Sequence, residues 1–208
     1  IEKEMVKLLL KQRNKFDHKG NYGHGLFIGG SYGKMGAVIL SSRAALRTGI
    51  GLITCHIPSN GNLIMQTAVP EAMLINDIAE KSISEIGNID SYSAVGIGPG
   101  MGILPVSQKA LYTLMKNCRK PIVIDADALN ILSQNKKWYK YIPAGAVLTP
   151  HPKEFERLSG KAKNSYERLK KQTWFSEKYK CTVVLKGAHT SISSPDGKVW
   201  FNSTGNPG

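Results

Sequence analysis

Two carboxylates, one histidine and one lysine stand out because each follows an apolar run. Asp125 and Asp127 close "PIVIDAD", His151 sits in "VLTPHPKE" between two prolines, and Lys186 follows "TVVL". Two carboxylates at this spacing can hold Mg²⁺ through water or position a metal carried by a phosphate. They can equally serve the backbone, Asp127 as the cap of the helix "ALNIL" and Asp125 as an acceptor for loop amides. His151 can donate to a carbonyl, hydroxyl or phosphate, or simply lie on a surface loop. Lys186 can meet a phosphate while the backbone of "KGAHT" lines an adenine or ribose; it can also merely end a strand.

Two glycine-rich stretches share this setting. "GGSYGKMG" (29–36) has no Ser or Thr after Lys34, so it is not a Walker A loop. "GIGPGMG" (96–102) has Met101 where a dinucleotide fingerprint needs glycine. Each still lets the backbone approach a ligand, and each leads into a helix whose N-terminus favours anions. Two such loops on one rim point to a phosphate-bearing ligand.

The elements that must position these residues alternate. Apolar runs at "GLFIGG", "GLITCHIP", "AMLIN", "YSAVGIG", "PIVIDAD", "AVLTP" and "CTVVLKG" predict strands. Helices are predicted at "EMVKLLLKQR", "GAVILSSRAALRTG", "VSQKALYTLMKN", "DALNILSQN", "PKEFERLSG" and "NSYERLKKQTWFSEKY", with Gly49 and Pro152 as stop and start signals. "TSISS" and "KVWFN" flank the turn "SPDGK", a hairpin. The expected fold is α/β: a mainly parallel sheet with helices on both faces and an antiparallel hairpin near its C-terminal end. In such sheets ligands sit beyond the carboxyl ends of the strands, where the unusual residues collect.

Composition narrows the function. The 208 residues suit one domain, and no apolar run approaches the ~20 residues that span a bilayer. A net charge of +13 invites a nucleic-acid partner. The lysines, however, occur in small clusters with no aromatic–basic platform, so no nucleic acid and no membrane are expected as partners. Cys55, Cys118 and Cys181 are far apart beside apolar runs, which reads as buried thiols in a reducing cytoplasm.

Six stretches in order, "GHGLFIGGSYGKMGAVILSSRAALRTGIGLIT", "PEAM", "GIGPGMG", "PIVIDADALNIL", "VLTPHPKEFERL" and "VVLKGAHTSISSPDGKVWFNSTGNPG", resemble the NAD(P)H-hydrate dehydratases, with their ribokinase-like fold. The resemblance runs from about Gly20 to the end. It implies a nicotinamide-nucleotide repair enzyme that restores the S epimer of NADH or NADPH hydrate. A nucleoside di- or triphosphate (ADP or ATP, with Mg²⁺) phosphorylates the added hydroxyl, and phosphate is then eliminated. The resemblance places Ala37, Gly102 and His151 at the hydrate. It places Lys186, Gly187, Ala188, His189 and Thr190 at the adenine nucleotide, and Asn206 and Gly208 in a phosphate loop. Its catalytic aspartate would lie beyond Gly208, so the 208 residues are expected to be one domain truncated at its C-terminus. Residues 1–20 are expected to be a leading helix, or the join to an N-terminal epimerase domain, and the family implies a homo-oligomer. A ribokinase-like kinase for a vitamin-precursor alcohol and a non-catalytic nucleotide-binding module are the competing readings.

Overall fold

In a computed structural model of the chain, residues 2–10 and 12–204 are described. A short helix α1 (Lys3–Leu9) leads into β1 (His24–Ile28), α2 (Met35–Thr48), β2 (Leu52–Ile57), α3 (Asn62–Ala68) and β3 (Met73–Asn76). Then come β4 (Ala94–Ile97), α4 (Pro105–Asn117), β5 (Ile122–Ile124), α5 (Ala126–Gln134), β6 (Val147–Leu148) and α6 (Pro152–Ser159). The chain closes with α7 (Ser165–Tyr179), β7 (Thr182–Leu185), β8 (Thr190–Ser193) and β9 (Val199–Asn202). One helix, α3, falls on "NLIMQTA", where the sequence predicts none. It is 7 residues long and has no side-chain cap, so it carries no start signal.

The predicted punctuation works locally. Gly49 ends α2 in the left-handed region at φ 101°, its N–H bonding to the carbonyls of Ala45 and Leu46. Pro152 opens α6, where its missing N–H costs nothing. Gly197, at φ 81°, turns β8 into β9, and the Ser194 amide donates to the Lys198 carbonyl at 3.0 Å.

The described strands form one sheet in the order β3-β2-β1-β4-β5-β6-β7-β8-β9. Neighbours pair in parallel from β3 through β7, and β8 and β9 are antiparallel. The chain thus builds outward from β1 to β3, then returns to lay β4 on the other side of β1. That reversal is a topological switch point, which opens a crevice beyond the strand ends.

One face of the sheet carries a continuous apolar row. Ile28, Ile97, Ile124, Leu148 and Val183 are register neighbours across five strands. All are buried under Leu111, Leu129, Leu132, Phe155 and Phe175 from α4–α7. On the opposite face α2 and α3 bury Ile53, Cys55 and Ile57 of β2 with Met35, Val38 and Met65. That face is less covered farther along: Val123 of the inner strand β5 is 42% exposed. The three cysteines are free and buried, as expected. Burial pushes the Cys55 thiol up to about 11, against a hydrogen bond shared with Ser42, and the Cys181 thiol up to about 12.

The connection after β3 hangs on Asp77, which is paired with His56 at the end of β2 (Nε2···Oδ2 3.1 Å), both buried. Burial holds His56 below its ordinary value, with Asp77 only partly offsetting it. Burial raises Asp77, but the hydroxyl of Ser84 and the amides of Ala79, Ser84 and Glu85 outweigh it and hold the carboxyl below the usual range. Both folded values are depressed, so the unfolded chain binds more protons and stability is lost on acidification. The fall should begin below pH 6.5 for His56 and continue below pH 3.8 for Asp77, those being the ordinary values. Urea unfolding from pH 7.5 downward should show this slope, and His56→Gln should flatten its upper part.

Candidate active site at the carboxyl edge of the sheet

The two glycine turns leave β1 and β4 side by side and cross-brace each other. The Gly30 amide donates to the Pro99 carbonyl at 2.8 Å, and the Gly98 amide to the Ile28 carbonyl at 3.1 Å. Ser31 Oγ adds a 2.7 Å bond to the Gly100 carbonyl. The approach is too close for side chains. A Cβ on Gly29 would stand 2.4 Å from the Pro99 carbonyl oxygen. One on Gly98, already at φ +123°, would stand 1.9 Å from that of Asp125. Gly100 backs onto Ala37, in the first turn of α2. The turns therefore bring Ala37 and the "GPGMG" backbone together at Gly100.

The carboxylates fall on the third strand end. Asp125 is the N-cap residue of α5 but makes no side-chain cap. Its Oδ1 instead accepts from Lys186 Nζ at 3.0 Å, across 61 positions of sequence. Ala126, which follows, has φ +49°, a left-handed value in a residue with a Cβ. Such strain costs of order 1–3 kcal/mol and gathers at functional sites. Asp127 lies inside the first turn, and its Oδ2 accepts from the Gly102 amide at 2.9 Å, with Lys34 Nζ 3.9 Å away. Asp127 does not cap the helix, and Asp125 accepts from Lys186 rather than from loop amides; it is Asp127 that takes a loop amide, that of Gly102. Lys34 and Ser31 were not singled out by sequence; only their place in a glycine-rich turn hints at them.

His151 caps α6. Its Nδ1 accepts from the amides of Lys153 and Glu154 at 3.2 and 3.4 Å, while Glu154 Oε2 accepts from the His151 amide at 2.8 Å. The Nε2 edge stays partly exposed, 3.4 Å from Glu154 Oε1. Among the described residues no hydrogen bond or ion pair joins it to Ala37 or Gly102. Asn206 and Gly208 lie outside the described residues.

Two cavities meet at Lys186. One, about 410 Å³, is lined by Gly96, Pro99, Asp125, Thr149 and Lys186 and continues down the open sheet face. The other, about 560 Å³, is lined by Lys186, Gly187, Ala188 and His189 with Tyr166 and Arg168 of α7. An ammonium between the two suits a phosphate group at their junction; Ala37, Gly102 and His151 line neither cavity. Among the described residues no cluster of three or more His, Cys, Asp or Glu side chains forms a dedicated metal cage. No described helix is long and apolar enough to cross a membrane.

Comparison with known proteins agrees with this geometry. A family model described as NAD(P)H-hydrate dehydratase matches residues 26–208. The ADP-dependent (S)-NAD(P)H-hydrate dehydratase of Bacillus subtilis is 33% identical, over 98% of this chain and 72% of that protein. A crystal structure of the B. subtilis ADP/ATP-dependent enzyme, co-crystallized with ATP and Mg²⁺, superposes with a TM-score of 0.81 at 29% identity, covering 98% of this chain and 72% of that one. The bifunctional NAD(P)H-hydrate repair enzyme Nnr of Moorella thermoacetica is 36% identical over 96% of this chain but only 39% of its own length. The chain thus spans about two fifths of the bifunctional relatives it matches. The ribokinase-like fold expected from the sequence is also that of a ribokinase-like superfamily protein from Enterococcus faecalis, which superposes with a TM-score of 0.80 at 24% identity, covering 100% of this chain and 72% of that one.

Two substitutions separate structure from ligand contact here. His151→Asn keeps a side-chain acceptor for the cap and should leave stability unchanged, whereas His151→Ala should lose about 1 kcal/mol in urea unfolding. Both should weaken substrate use if the Nε2 edge meets the ligand. Gly98→Ala should destabilise the fold by at least about 2 kcal/mol, because strain at positive φ adds to the overlap with Asp125.

Proposed function

The chain belongs to the NAD(P)H-hydrate dehydratase family, and on that premise we propose that it returns (S)-NAD(P)H hydrate to NAD(P)H with ADP or ATP as phosphoryl donor. The observation that carries this reading is Lys186, held by Asp125 where the two cavities meet. The hydrate lies against Ala37, Gly102 and His151, and the nucleotide against Lys186–Thr190. The hydrate's hydroxyl gives its proton to the family's catalytic aspartate as its oxygen attacks the terminal phosphorus of the donor, and the bond to the bridging oxygen breaks, releasing AMP from ADP or ADP from ATP. Phosphate then departs with its C–O bond electrons as the neighbouring ring carbon gives up a proton, restoring the double bond. Hydroxide is a poor leaving group and phosphate a good one, so the protein's task is positioning and charge stabilisation.

The residues fit a magnesium ion that arrives on the nucleotide. Lys186 engages only Oδ1 of Asp125, and Asp127 stands two residues on, so the pair would hold the ion partly through water, alongside phosphate oxygens. Bound there, magnesium would neutralise charge on the phosphates. Lys186 holds the transferring group, and the glycine amides orient it.

The test uses the full-length protein with hydrated NADPH, Mg²⁺ and either ADP or ATP, following the return of dihydronicotinamide absorbance. A nucleotide-dependent rise is expected, and comparing the nucleotides identifies the donor. Lys186→Met should slow it roughly 10²–10³-fold, the usual cost of one transition-state donor. No rise, with the S epimer shown to be present, would shift the assignment to a small-alcohol kinase on the same scaffold.

A further inference from the structure

Neither the phosphoryl step nor the ligand cavities use Asp77, yet it is the most densely hydrogen-bonded side chain near the rim. It is 4% exposed. Its Oδ2 accepts from His56 Nε2 at 3.1 Å, the Ser84 amide at 2.8 Å and the Glu85 amide at 3.3 Å. Its Oδ1 accepts from the Ala79 amide at 2.8 Å and from the Ser84 hydroxyl. Burying a carboxylate beside a histidine carries a desolvation cost that apolar packing of the same loop would avoid. What the arrangement gains is a single fixed conformation for residues 77–86.

That conformation is handed directly to the glycine turns. The Lys81 carbonyl accepts from the Tyr32 amide at 3.0 Å, in the middle of "GGSYGKMG". The Ile83 carbonyl accepts from Ser107 Oγ at 2.9 Å, and the same hydroxyl lies 3.5 Å from the carbonyl of Met101, in "GPGMG". His56 works from the other side, its carbonyl accepting from the Gly29 amide at 3.2 Å. Both turns are therefore fastened to one buried pair, one strand removed from the switch point. The nucleotide stretch Lys186–Thr190 has no bond to this network.

We propose that Asp77, braced by His56, is a positioning residue that sets the spacing of the two glycine turns for the hydrate, without touching it. The inference rests on the reading that Ala37 and Gly102 contact the hydrate. It makes the network selective: loosening it should harm hydrate binding and spare the nucleotide.

Steady-state kinetics on the full-length protein, varying hydrate and nucleotide separately, test this. Asp77→Asn, which replaces one acceptor oxygen with a donor facing donors, should raise KM for the hydrate about tenfold or more while the nucleotide KM moves less than about twofold, since small misplacements at a site are costly. His56→Phe should behave likewise, and His56→Gln, which keeps a donor toward Asp77, should restore the hydrate KM. If Asp77→Asn does not fold, Ser84→Ala removes one donor and should show a smaller shift of the same kind. Equal rises in both KM values, or an unchanged hydrate KM, would make the pair a purely structural staple and overturn the inference. Gly102→Val serves as the control on the site itself. If it leaves the hydrate KM unchanged, the site reading fails and this inference with it. A rise with Gly102→Val but none with Asp77→Asn overturns the positioning role alone.

Discussion

The structure depends on how closely β1 and β4 can approach at their carboxyl ends. Two parallel strands that lead to helices on opposite faces must let their turns cross, and the crossing here is backbone on backbone. The bonds Gly30 to Pro99 and Gly98 to Ile28 form only because no Cβ intervenes. From that crossing follow the entry of α2 on one face, the placing of Gly100 against Ala37, and a crevice at the strand ends. The glycines are therefore packing residues first, and the anion-binding character of the rim comes with the helix starts they permit.

Charge is then distributed around the crevice by partners from distant sequence. Asp125 is fixed by a strand end and a strained Ala126, Asp127 by the amide of Gly102, and Lys186 by the close of β7. Each charge is matched within the rim but only partly buried, so a phosphate can enter the field between Lys34 and Lys186 without first breaking a buried pair. A chain of net charge +13 adds a broad attraction for anions.

Much of this was legible in the sequence because strand-end chemistry has local signatures. Glycine pairs, "DAD", "TPHPKE" and "KGAHT" each follow an apolar run, and the periodicity of those runs yields the parallel sheet. Pairings did not show. Nothing in the sequence links Asp125 to Lys186, because the sheet order decides which strand ends are neighbours. His151 as a helix cap was missed because histidine is an unusual acceptor there, although Glu154 three residues on is the usual partner in a capping box. Asp77 follows an ordinary strand, and its role arises from a loop that folds back on it. The helix α3 lacked a cap signal and took its place from packing Met65 against β2.

The buried thiols have a consequence of another kind. Cys55 sits on β2 beneath α2, and Cys181 at the start of β7, at opposite flanks of the switch point. With their values raised to about 11 and 12, neither forms a reactive thiolate while its surroundings stay closed. Alkylation of each is therefore gated by local opening, and its rate becomes a clock for that part of the sheet. The two halves of the fold carry their own independent chemical reporters of breathing, with no label to be introduced.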